Sequence, residues 1–239
     1  MTIAGRDSSM RIQTGAVIVV AMLATACSPG GPAGPIAREH HTIERGAATS
    51  VRVEVNMSAG DLTVQSGAAQ LFEGEFEFNI PALKPAVVYA VDGTTGVLKV
   101  SQGSASGNYE NTWHLSLDET TPVELHINLG AGDAHLMLGR LNLQSIAVGL
   151  GAGDLDLDLR GMPASSYPVS VNAGAGDTTI HLPASVGISV RTLGLIGDAT
   201  VAGLEKRDGR WINPRAVASP VTIDVRVQHA IGDLRLAAE

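Results

Sequence analysis

The feature that most constrains this chain is a Gly-Asp corner, set between runs of alternating apolar and polar residues, that recurs along it. Gly130-Ala131-Gly132-Asp133, Gly151-Ala152-Gly153-Asp154 and Gly174-Ala175-Gly176-Asp177 are near-identical. Ser58-Ala59-Gly60-Asp61, Leu195-Ile196-Gly197-Asp198 and Ala230-Ile231-Gly232-Asp233 are degraded copies. Before the central copy Ile146, Val148 and Leu150 alternate with small or polar residues; after it Leu155, Leu157 and Leu159 alternate with Asp156 and Asp158. That period of two describes strands with one buried face. Glycine lets the chain turn sharply between them, and an Asp there can accept hydrogen bonds from nearby backbone N–H groups.

Asp133, Asp154, Asp177 and Asp198 follow one another at intervals of 21, 23 and 21 residues. A strand–corner–strand unit of that length cannot bury its own apolar face, so units must stack. A buried aliphatic side chain contributes roughly 1.5–3 kcal/mol and one corner hydrogen bond about 1 kcal/mol. The aliphatic stack therefore supplies the stability, and the corners set the register. The expected fold is all-β: a single-domain β-solenoid, a parallel β-helix-like stack of two-strand rungs. Between Asp61 and Asp133, strands are expected at Leu71 to Ile80, Ala86 to Val91, Val97 to Ser101 and Thr112 to Leu117. The segment Gly203 to Pro220 reads as a hairpin or loop leaving the stack.

The first 26 residues read as a secretory leader: Arg6 and Arg11, an apolar run from Ala16 to Leu23, then Ala24-Thr25-Ala26 before Cys27. A Cys directly after that triplet resembles the bacterial lipobox, which implies that Cys27 is the lipidated first residue of the mature chain. Met10 is an alternative start. Cys27 is the sole cysteine, which excludes an internal disulfide and Cys-based metal or redox sites. Residues 27–49, rich in Pro, Gly, Ser and Ala, are expected to be a flexible linker carrying a solvated His40-His41 pair, with the solenoid at 50–239.

Over about residues 50 to 236 the chain resembles the bacterial toast-rack family of β-solenoid domains, related to adhesin-type solenoids. The motifs that carry the likeness are Ser58-Ala59-Gly60-Asp61-Leu62 and the three Gly-Ala-Gly-Asp copies. Trp113-His114-Leu115-Ser116-Leu117, His181-Leu182-Pro183 and Trp211-Ile212-Asn213 add to it. The resemblance implies a solenoid and brings no catalytic residues with it. Related domains in regulators of envelope stress make an accessory role in that signalling one alternative.

The corner residues Gly60, Asp61, Gly132, Asp133, Gly153, Asp154, Gly176, Asp177, Gly197, Asp198, Gly232 and Asp233 are assigned a structural role. A calcium β-roll needs a nine-residue period with several oxygen ligands per ion, and here one Asp recurs at more than twice that interval. Outward columns place His135 beside Asp156 and Asp158 beside His181, read as solvated polar ladders, as are His126 and His229. No metal or cofactor is expected. A polysaccharide-active enzyme on a β-helix scaffold is the other alternative, but paired carboxylates in a cleft are not evident. Only eight aromatic residues are present, of which Tyr109, Trp113 and Trp211 could meet on loops. With Arg6, Arg11 and Asp7 removed in the leader, the mature chain carries 14 basic and 23 acidic residues, a net of −9. Such a surface repels nucleic acid and anionic membranes, leaving the lipid as the link to the membrane. The reading is a non-enzymatic lipoprotein, exported and lipid-anchored to the cell envelope, presenting an interaction module to an envelope protein or glycan.

Overall fold

The computed structural model describes residues 34–103, 105, 109–214 and 218–239; the leader and Cys27 lie outside them. In chain order the first strands are β1 (Ala37–Ile43), β2 (Ser50–Ala59), β3 (Asp61–Ser66), β4 (Phe72–Phe78), β5 (Ala86–Asp92), β6 (Thr95–Ser101) and β7 (Asn111–Leu117). There follow β8 (Val123–Ala131), β9 (Ala134–Met137), β10 (Leu143–Ala152), β11 (Leu155–Asp158), β12 (Tyr167–Ala175) and β13 (Thr178–Leu182). The last are β14 (Gly187–Leu193), β15 (Ala199–Ala202), β16 (Glu205–Arg207), β17 (Arg210–Ile212), β18 (Thr222–Ile231) and β19 (Leu234–Ala238). A 3-10 turn, Pro81–Leu83, bridges β4 and β5.

Two sheets face each other. One runs β1-β4-β7-β3-β9-β11-β13-β19-β15 and the other β5-β6-β2-β8-β10-β12-β18-β14-β17-β16. Each rung places its first strand in the second of these sheets, turns the corner, and places its next strand in the first. Neighbouring rungs are parallel and in register: Ala59, Ala131, Ala152, Ala175 and Ile231 stand opposite one another. The alternation read from the sequence fills the space between the sheets. Val53, Leu125, Ile127, Val171 and Val225 come from one side, and Leu62, Leu136, Leu157, Ile180 and Leu236 from the other.

Three features depart from the expectation. First, the linker was expected to run to residue 49, but Ala37–Ile43 is a strand paired antiparallel with β4. His40 and His41 therefore belong to the sheet, with the His41 ring edge-on to Phe76 at 5.6 Å. An isolated reading of Ala-Arg-Glu-His-His-Thr-Ile shows little apolar content, and its partners lie 29 to 41 residues on. Second, the rung with Asp198 is not next to the rung with Asp177; β18–β19 enters between them. An inner rung is covered on both sides, so the leucine-rich Leu234 and Leu236 gain more from that place than Ala199 and Val201. Third, β6 and β7 lie beside β2 and β3 as a rung with no Gly-Asp pair between them.

Both ends of the stack are dressed. At one, Phe76 meets the buried Trp113 edge-on at 5.3 Å, and β5 covers β6. At the other, β16 and β17 form a hairpin about Asp208-Gly209, where φ is 49° and 77°, and β17 pairs antiparallel with β14. Lys206 Nζ sits 5.4 Å from the Trp211 ring.

One core position is chemically out of place. Thr178 follows its corner where other rungs have Leu62, Ala134, Leu155 or Leu234; it is fully buried and its Oγ1 has no hydrogen-bond partner. Thr178→Val should raise the unfolding free energy by about 1 kcal/mol, read from urea denaturation, because it removes an unpaired buried hydroxyl. A loss of stability would show that the hydroxyl is satisfied.

Candidate functional site

The corners form one edge of the molecule. Gly60, Gly132, Gly153, Gly176, Gly197 and Gly232 all have φ between 118° and 151°, a region costly for residues with a Cβ. There is a second reason for glycine. A Cβ on Gly153 would run into the carbonyl oxygen of Gly132, and one on Gly176 into that of Gly153; Gly132, Gly232 and Gly197 repeat the pattern. The aspartates continue the contact. Asp133 Oδ1 accepts from the Asp154 backbone N–H at 2.9 Å, Asp154 Oδ1 from Asp177 N–H at 2.8 Å, and Asp177 Oδ1 from Asp233 N–H at 3.0 Å. Asp233 Oδ1 then accepts from Asp198 N–H at 3.2 Å. Each carboxylate thus serves the next rung rather than its own turn. At the cornerless rung Asn111 substitutes: its Nδ2 donates to Ala59 O at 2.6 Å, while its Oδ1 accepts from Trp113 Nε1 at 3.1 Å.

On the outer face of the β9–β11–β13 sheet lie the titratable columns. Asp156 stands between two imidazoles, 4.0 Å from His135 Nδ1 and 3.7 Å from His181 Nε2. His181 does not pair with Asp158 as its register suggests. Arg160 takes that carboxylate at 2.6 Å, and its hydrogen bonds hold the Asp158 carboxyl below the usual range. His181 Nδ1 instead lies 2.9 Å from Glu239 Oε1. This is a network of hydrogen bonds and ion pairs on an open face, with His135 and Asp156 more than half exposed. Among the described residues no group of three or more His, Cys, Asp or Glu is arranged to hold a metal ion.

His229 corrects the sequence reading. It is in phase with Val225 and Val227, and so points inward and is buried, its Nε2 donating to Gly176 O at 2.9 Å. His126 does lie on the outer face, beside Glu54 and Ala147. The three aromatics do not meet: Trp113 is core at one end, Tyr109 packs near Phe78, Ile80 and Leu83, and Trp211 lies at the far end.

The outer face of the β2–β8–β10–β12–β18 sheet holds a row that the sequence reading passed over. Asn56, Asn128, Gly149, Asn172 and Gln228 stand in register across five strands. Beside them runs a groove of about 510 Å³, adjoined at Asn172 by a second of about 360 Å³. Aligning the repeats on their corner aspartates would have revealed it, since each member lies five residues before its Asp.

Two substitutions separate the corner terms by thermal and urea unfolding. Gly67→Ala, at φ 115° in open space, should cost only backbone strain of about 1–3 kcal/mol. Gly153→Ala should cost a further ~3 kcal/mol through the overlap with Gly132. Asp154→Ala should cost about 1 kcal/mol and Asp154→Asn less, since an amide oxygen still accepts. Equal losses for the two glycines would remove the rung-to-rung contact from the explanation.

The family model described as the N-terminal domain of toast_rack, DUF2154, matches residues 33–181. No curated protein matches the chain. Among solved structures, a proposed cell adhesion protein from Clostridium sporogenes ATCC 15579 superposes with a TM-score of 0.79 at 25% identity, covering 85% of this chain and 100% of that one. A proposed adhesin from Bacteroides fragilis NCTC 9343 is 12% identical, covers 87% of this chain and 99% of its own, and has a TM-score of 0.29. A family match over more than half the length, spanning the corners at Asp61, Asp133, Asp154 and Asp177, means that this chain belongs to the toast-rack family.

Proposed function

We propose that this chain is an exported lipoprotein that holds a non-catalytic β-solenoid at the cell envelope as an interaction module. The observation that carries the reading is the likeness, over the whole of its chain, to the clostridial protein described as a proposed cell adhesion protein. The surface chemistry agrees with it. Carboxylates and imidazoles pair with one another on an exposed sheet face, outside any water-excluding cleft where general acid–base chemistry gains its power. Among the described residues no helix is long and apolar enough to cross a membrane. Attachment falls to the lipobox-like Leu23-Ala24-Thr25-Ala26-Cys27.

The strand at Ala37 changes the geometry of display. Nine residues separate it from Cys27, and the ten steps of chain, fully extended, reach at most about 36 Å. The domain is thus held close to its membrane, and a partner must come to that surface. Metabolic labelling with an alkyne palmitate tests the anchor. The wild-type chain should be labelled and sediment with membranes, whereas Cys27→Ser should be unlabelled and released. Labelling that survives Cys27→Ser would sink the assignment.

A further inference from the structure

The amide row carries an inference about what this surface binds. Asn56, Asn128, Asn172 and Gln228 are exposed on four of five successive rungs, with Gly149 on the third, and Asn128 Nδ2 donates to Asn56 Oδ1 at 3.0 Å. Two places nearer the corner, Gly130, Gly151 and Gly174 make a floor with no side chains. Those glycines are imposed by the stack, because an added Cβ would run into the carbonyl of the neighbouring rung. Gly149 is different. Its φ lies outside the left-handed region, and a Cβ there would meet nothing nearer than Asn128 Oδ1 at 3.0 Å, the end of a movable side chain. The backbone does not demand glycine at 149. What glycine does there is open the row between Asn128 and Asn172, where the larger groove lies.

The lining chemistry narrows the occupant. Neither groove is lined by Asp, Glu, Lys or Arg, in a chain of net charge −8. A polyanion would need Lys or Arg contacts. The backbone N–H and C=O groups of these inner strands are spent on their neighbours, so an extended peptide finds no free edge to join. An apolar ligand would leave the amides without partners. What remains on offer is a row of four carboxamides, interrupted at Gly149 and spread over ~19 Å, each with donor hydrogens and an oxygen lone pair still free to face outward. A chain of hydroxyl groups, which both donate and accept, matches that series.

We propose that this groove binds a neutral glycan strand laid across the rungs, with Asn56, Asn128, Asn172 and Gln228 as its amide contacts and Gly149 as the opening that admits it. This deepens the display role proposed above by naming the face and the class of ligand. Each amide contact is weak, and affinity comes from several engaged at once along one polymer.

The test is native affinity electrophoresis of the full lipidated chain in mild detergent, through gels containing dextran, soluble starch or glycol chitin, with heparin as the anionic control. At least one neutral polysaccharide should retard the wild-type protein and heparin should not. Gly149→Asn fills the opening and should weaken retardation by about tenfold, the effect of losing one or two net hydrogen bonds. The double variant Asn128→Ala/Asn172→Ala, which trims exposed side chains and fills nothing, should do the same and guards against misfolding of the first. Thr200→Ala, on the other sheet, should bind as wild type. No retardation by any neutral polysaccharide, or undiminished retardation of both groove variants, overturns the proposal. So does a dimer in sedimentation that Gly149→Asn abolishes, which would give the face to a second copy of this chain. A negative gel with intact palmitate labelling defeats the groove alone; retardation without labelling defeats the anchor alone.

Discussion

Everything in this molecule depends on how closely two rungs approach at the corner. Parallel strands lie about 4.8 Å apart, and the corner keeps that spacing where the backbone turns. The carbonyl of one rung then occupies the place a Cβ of the next would take, so Gly132, Gly153, Gly176, Gly232 and Gly197 have no alternative. The approach has a second effect: it puts the carboxylate of each corner within reach of the next rung's N–H, giving the file from Asp133 to Asp198. Glycine makes the contact possible and aspartate makes it cohesive. With the corners fixed, a slip of one residue would turn every inward leucine to solvent.

A stack of this kind must end, and its ends expose strand edges ready to pair with other chains. The chain handles the two ends unequally. At the first, antiparallel strands close both sheets, and Asn111 with Gln102 takes up the Ala59 carbonyl that a further corner would otherwise have bonded. At the second, the β16–β17 hairpin covers one sheet only, and β15 is the edge of the other. The strand left there is short and bears small side chains, Ala199, Thr200 and Ala202, which limits what an incoming strand gains by pairing with it.

What the sequence made legible follows from what is local. The corners, the inward phase of the leucines and the strands between Asp61 and Asp133 rest on spacings of two residues or on glycine's own geometry. What was missed is non-local. Ala37–Ile43 is a strand because β4 offers it an edge, and Arg38 reaches Glu77 at 2.7 Å across that pairing. The entry of Asp233 between Asp177 and Asp198 reverses chain order for a gain in burial that no local pattern encodes. His229 was a different failure: its phase with Val225 and Val227 was readable, and polarity was allowed to outweigh period. The amide row was readable too, but only to an alignment centred on the corners that looks outward instead of inward.

Such a fold acquires function on its outward positions. The inward residues and the corner glycines are held by the rung spacing, so they can change little without loosening the stack. Outward residues five places before each Asp stand opposite their counterparts above and below, on the solvent side of the sheet. They are free to become asparagine, glutamine, glycine or, as at Leu193 on the terminal rung, something apolar. The scaffold therefore dictates the pitch of whatever it displays while leaving the chemistry open. A rigid row of equally spaced, individually weak groups is suited to a ligand that is itself a repeat, because register gained at one rung is kept at the next and the later contacts form at high effective concentration. A compact ligand would use one or two rungs and gain nothing from the remainder, so the length of the stack is itself an argument for a polymeric partner.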